Sequence, residues 1–73
     1  MMVLMLGFAL FGAGRIGTLH ARNLTANPRA RLVCVHDLLG DKARELARKH
    51  DAKTAPDPEA VFAEPAVDAV LIA

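Results

Sequence analysis

Apolar residues run from Val3 to Phe11, interrupted only by Gly7, and the run stops at Gly12-Ala13-Gly14. A stretch with no polar face predicts a strand buried on both sides, as in parallel sheets. From Arg15 to about Asn27, residues Ile16, Leu19, Ala21 and Leu24 fit a helical stripe loosely. Asn27-Pro28 closes that helix, because proline pushes the preceding residue out of helical geometry. Arg31 to Asp37, Arg-Leu-Val-Cys-Val-His-Asp, is β-branched and apolar in its middle and predicts a second buried strand, followed by a turn at Leu38-Leu39-Gly40. Ala43, Leu46, Ala47 and His50 recur at i, i+3, i+4 and i+7, opposite Arg44, Glu45, Arg48 and Lys49. That pattern predicts an amphipathic helix from Asp41 to His50, with Asp41 as N-cap and a Glu45 to Lys49 pair. Ala52-Lys53-Thr54 leaves room for a very short third strand. Asp57-Pro58-Glu59 then reads as a helix start, and Pro65 ends that helix. Val67 to Ala73 is a fourth, strongly apolar strand.

Strands and helices alternate with short connections and no repeat, which predicts an α/β fold with a parallel sheet and right-handed crossovers. In a doubly wound topology four such strands take the order 3-2-1-4, the first half of the full sheet. Strand four is then an edge. Val70, Leu71 and Ile72 carry none of the charges, prolines or bulges that protect natural edges, so more sheet is expected beyond Ala73 and the isolated chain is expected to aggregate or stay partly unfolded. Residues 1–73 are read as part of one domain.

The composition narrows the function classes. Nine Lys and Arg against eight Asp and Glu leave a net charge of +1. The charges are interspersed, which argues against a nucleic-acid footprint. The opening apolar run falls short of the roughly 20 residues of a membrane span and lacks a basic segment ahead of it, so neither a membrane anchor nor a secretory signal is expected. The single Cys34 excludes an internal disulfide and a cysteine-rich metal site, and a reducing, cytoplasmic setting fits.

The candidate chemistry lies in Gly12-Ala13-Gly14-Arg15-Ile16-Gly17, a G-x-G-x-x-G between a predicted strand and a predicted helix. Gly12 permits a sharp turn off the strand, Gly14 lets a pyrophosphate approach the backbone, and Gly17 allows the helix to pack closely on the strand. The amides of Ala13 to Ile16, unpaired at the positive end of a helix, are expected to face an anion. Asp37 closes the second strand twenty positions after Gly17, where a carboxylate accepts the hydroxyls of an adenosine ribose. Taken alone the glycine pattern describes any tight strand-to-helix turn; strand, glycines, helix, strand and acid in this order point to a dinucleotide. A Walker-type phosphate loop is excluded, because no Gly-Lys-Ser/Thr follows.

Asp37 would repel a 2′-phosphate, and the adjacent Leu38 supplies no compensating cation, so NAD is expected over NADP; Arg44, in the following helix, is a cation able in principle to swing back. His20, His36 and His50 read as structural, and Cys34 as a small buried hydrophobe.

Phe8 to Gly17 with Thr18-Leu19-His20-Ala21 resembles the opening of the glucose–fructose oxidoreductase and inositol dehydrogenase family (Gfo/Idh/MocA). Ala30 to Asp37 and Val67 to Ala73 look like its second strand and the strand before its cofactor loop. Within the family, Gly-Ala-Gly-Arg-Ile-Gly with the following histidine is most like inositol 2-dehydrogenases. The resemblance implies a Rossmann domain of an NAD-dependent oxidoreductase that moves hydride between a cyclitol or sugar alcohol and the nicotinamide. Cofactor roles carry over to Gly12, Gly14 and Gly17 at the turn, to Arg15 and Ile16 at the pyrophosphate, and to Asp37 at the ribose. The family's catalytic lysine, its Asp/His pair and its substrate domain have no counterpart in these residues, so no catalytic residue is assigned and the chain alone is expected to be inactive. The missing domain leaves room for a homo-oligomer. Two other readings stay open: a reductase of the aspartate, homoserine or dipicolinate type, and a non-catalytic NAD-sensing module.

Overall fold

The computed structural model describes residues 5–73. Its elements run β1 (Leu6–Phe11), α1 (Arg15–Ala26), β2 (Ala30–His36), α2 (Gly40–Lys49), β3 (Lys53–Thr54), α3 (Pro58–Phe62) and β4 (Ala69–Ile72). The four strands form one parallel sheet in the order β3-β2-β1-β4, as the alternation of elements predicts. The predicted start of the first strand at Val3 lies outside the described residues.

Both faces of the sheet are covered. On one, Leu10, Leu32 and Val35 meet Ala21 of α1 and Ala43, Leu46 and Ala47 of α2; on the other, Ala9, Val33 and Cys34 meet Ala55 and Val61 of α3. Strict alternation would put Leu32 and Cys34 on the same face. Instead the register against β1 passes from Phe8–Leu32 to Ala9–Cys34 and skips Val33. This bulge turns Val33 and Cys34 together to the α3 side, which is why the centre of β2 is apolar without a break.

α1 differs from the stripe read in the sequence. Ile16 and Leu19 point to solvent, 54% and 42% exposed, while Gly17 and Ala21 are buried and Leu24 packs at the rim of the core. A Cβ on Gly17 would fall on the Gly12 carbonyl oxygen, so the helix sits too close to the strand turn for any larger side chain. Close approach has selected the small residues Gly17 and Ala21, at i and i+4, for the inner face.

α2 buries Ala43, Leu46 and Ala47 as predicted, and Glu45 lies 3.9 Å from Lys49. Asp41, however, is not its cap. Leu39 occupies that position with no side-chain bond, and Asp41 pairs with Arg44 in the first turn. The cause is upstream: the Leu39 amide donates to Asp37 Oδ1 at 2.7 Å, and this two-residue turn starts the helix early. α3 begins as read, with the Ala60 amide donating to Asp57 Oδ1 at 2.8 Å.

β4 is fixed to β1 at its start, where the Gly7 amide donates to Asp68 Oδ2 at 2.7 Å and the Asp68 amide to the Gly7 carbonyl at 2.8 Å. Gly7 is required there, since a Cβ would collide with the Ala66 carbonyl.

Candidate functional site

The site lies at the carboxyl ends of β1, β2 and β4, where the strand order reverses and open α/β sheets carry their ligands. Gly12 leaves β1 with φ +108°, a conformation costly for any residue with a side chain, and its amide donates to the His36 carbonyl at 2.7 Å. Gly14 is the N-cap residue of α1, and a Cβ there would meet nothing within 4 Å. The backbone is therefore bare on its outer side.

α1 opens without a carboxylate in its first turn and without a side-chain cap. By contrast α2 has Asp41 and α3 has Asp57 and Glu59 at the same end. Thr18 is the first α1 amide bonded to the backbone, at 2.8 Å from the Gly14 carbonyl; among the described residues none accepts from Gly14, Arg15 or Ile16. Three donors and the positive end of the helix are left to solvent.

Ala13 departs from the expected row of free amides. Its amide donates to Asp37 Oδ2 at 2.7 Å, across 24 residues of sequence. With Leu39 on the other oxygen, the carboxylate is fixed by two backbone donors. These bonds, that of Ala13 foremost, hold Asp37 below the usual carboxylate range, aided by the nearby Lys42 charge and opposed by slight desolvation. Each oxygen keeps a lone pair for a further donor. The acid thus stands at the glycine turn and on the correct rim of the sheet.

A groove of about 340 Å³ opens beside Asp37, lined also by Gly12, Leu38, Pro58 and Ala73. Leu38 is 96% exposed on its rim. Arg15 and Ile16 lie on the exposed side of the first turn, and Gly17 is spent on packing. A second recess of about 240 Å³ separates the start of α1 from Lys42 and Lys49 of α2. Pro58 and His36 were not legible as groove residues, because only the β2–β3 pairing brings residues 55–58 to Asp37. Arg44 is held by Asp41 and lines neither recess.

Residues 6–73 match the family model described as an oxidoreductase family with an NAD-binding Rossmann fold. The chain belongs to the Gfo/Idh/MocA family. Among the relatives of this Gfo/Idh/MocA chain, scyllo-inositol 2-dehydrogenase (NAD(+)) of Bacillus subtilis strain 168 is 46% identical over 66 residues, covering 88% of the chain. Myo-inositol 2-dehydrogenase of Thermotoga maritima is 41% identical over 64 residues, or 86% of the chain. The chain spans 19% of the length of each. The crystal structure of myo-inositol dehydrogenase from Lactobacillus casei in complex with NAD(H) and myo-inositol superimposes with a TM-score of 0.87 at 27% identity, over 96% of this chain and 22% of that one.

The remaining reactive side chains of the family member fall outside the glycine turn. Cys34 is buried, and burial first, then the Glu64 charge, pushes its thiol up against the opposing pull of Lys53. His50 forms the C-cap of α2, and His20 is half-buried on α1. No helix among the described residues is long and apolar enough to cross a membrane.

Proposed function

We propose that residues 1–73 are the cofactor-binding part of an NAD-dependent oxidoreductase, with the pyrophosphate at Gly14, Arg15 and Ile16 and the adenosine ribose on Asp37. The observation that carries this reading is the bond between the Ala13 amide and Asp37 Oδ2. It ties the carboxylate to the glycine turn that opens α1, which supports an acid meeting the ribose while the helix start takes the diphosphate. Gly12 makes the turn, Gly17 brings the helix down, and Leu38 offers an apolar rim to the adenine.

The residues present fit the group. Uncapped amides suit an anion, and a carboxylate with spare lone pairs suits two hydroxyls. The same carboxylate excludes a 2′-phosphate, and Arg44 is already engaged by Asp41, so NAD is preferred to NADP. When bound, NAD supplies a hydride acceptor. The chain's own residues bind and orient it.

The whole enzyme is proposed to oxidise a cyclitol, in line with the inositol substrates named for its relatives. Substrate binding and proton transfer belong to sequence outside these residues, and a cytoplasmic setting suits the free Cys34 thiol. Because a dinucleotide spans both halves of a doubly wound sheet, the chain alone binds it weakly. Titrating the chain with NAD and NADP tests the reading. Tighter NAD binding that fades in Asp37→Ala supports it, and equal or tighter NADP binding overturns it.

A further inference from the structure

β3 is only two residues long and pairs through Cys34–Lys53 and Val35–Thr54. The next residue, Ala55, is held at both of its backbone polar groups: its amide donates to the Val35 carbonyl at 2.8 Å, and its carbonyl lies 2.9 Å from His36 Nδ1. A carbonyl oxygen only accepts, so Nδ1 carries the proton. Pro56 and Pro58 have no amide hydrogen, which leaves the turn before α3 few donors of its own. The imidazole supplies the anchor that the backbone ladder does not.

His36 is 9% exposed, and its ring meets Phe11 edge-on at 5.5 Å between centroids. Its carbonyl receives the Gly12 amide, and the next residue is Asp37. One residue therefore ties the glycine turn, the ribose carboxylate and the turn that carries Pro58, and His36 and Pro58 line the same groove.

We propose that His36 is a positioning residue of the nucleotide groove: its Nδ1–H holds the Ala55 carbonyl so that Pro58 stays fixed in the wall of the groove that Asp37 and Leu38 also line. The inference rests on the nucleotide reading above and deepens it. A wall held before the ligand arrives spares the ordering cost of binding. Without the imidazole donor the wall loses one of its anchors, while the anion seat at Gly14 is untouched.

The test uses the chain with His36→Leu, which keeps bulk without the donor, and His36→Asn, whose side-chain amide sits near the place of Nδ1. NAD and inorganic pyrophosphate are titrated with backbone amide signals as readout, and affinities refer to the folded fraction. His36→Leu is expected to weaken NAD about tenfold, and His36→Asn to stay within about threefold of the unchanged chain. Pyrophosphate shifts stay the same in both. Unaltered NAD affinity of folded His36→Leu, even with a lowered thermal midpoint, overturns the proposal, as does equal weakening in the two variants. Absence of any NAD-dependent amide shift at the glycine turn and Asp37 of the unchanged chain removes the nucleotide reading itself and the positioning role with it.

Discussion

The Ala13 amide and the Asp37 carboxylate meet at 2.7 Å, so the acid that would hold the ribose is also a brace for the glycine turn. With Leu39 on its other oxygen, Asp37 accepts from two backbone donors. Asp37→Asn changes one acceptor into a donor and sets it against an amide hydrogen. It also removes the charge that rejects a 2′-phosphate. The ratio of NAD to NADP affinity is expected to fall about tenfold, with a lowered thermal midpoint. Paired titrations of the two cofactors with both proteins measure it; an unchanged ratio would mean the carboxylate does not face the 2′ position.

The same bonds set a pH dependence. In the folded chain Asp37 is held below the ordinary carboxylate range, chiefly by the Ala13 amide and then by that of Leu39. A lowered carboxylate stabilises the fold fully above the unfolded value and loses that contribution as pH falls through the folded one. The preference for NAD is therefore expected to be flat from about pH 5 to 8, and acid unfolding below about pH 4 to be shallower in Asp37→Asn. Thermal midpoints across that range check this, and a step in cofactor preference near neutrality would contradict it.

Gly14 and Gly17 are three residues apart and call for opposite outcomes. A Cβ at Gly17 meets the Gly12 carbonyl, backbone that cannot yield, whereas one at Gly14 meets nothing within 4 Å. Gly17→Ala is expected to lose about 3 kcal/mol or more, close to the whole stability of so small a domain. Gly14→Ala should fold normally and lose nucleotide affinity, because its methyl occupies the path of the phosphate. Circular dichroism melts and NAD titration separate the two; a well-folded Gly17→Ala would show that α1 has room to move away.

The sheet order and the starts of α1 and α3 are legible because they follow from local signals: unbroken apolar runs, Asp57 before Pro58, and glycines at the strand end. The inner face of α1 was not. Hydropathy favoured Ile16 and Leu19, but the distance between helix and strand decided for Gly17 and Ala21. The bulge at Val33 was equally hidden, since a register shift depends on both strands at once.

At the site, Gly12, Gly14 and Asp37 could be picked out by residue type and spacing. That Ala13 spends its amide on Asp37 could not, because the two lie 24 residues apart and only the folded sheet brings them together. Asp41 looked like a cap because its sequence context was right, but Asp37 had already started the helix. Gly7 sits inside an apolar run, where nothing local announces the Ala66 carbonyl beside it.

Val61 is the only buried residue of α3 and is fully enclosed against Ala9, Val33, Cys34 and Ala55. A five-residue helix has no stability of its own, so α3 is held by this one side chain, the Asp57 cap and the turn before it. Val61→Ala removes two methyl-sized groups from a site closed on all sides and is expected to cost about 2 kcal/mol. Because Pro58 opens the same helix and walls the groove, NAD affinity should fall along with stability, by about threefold to tenfold. Phe62→Ala is the control, since Phe62 is 72% exposed, with its ring 6.3 Å from that of Phe11 between centroids. Denaturant melts and NAD titrations of the two variants decide the matter: equal losses would mean that α3 is held by its surface contacts and not by Val61.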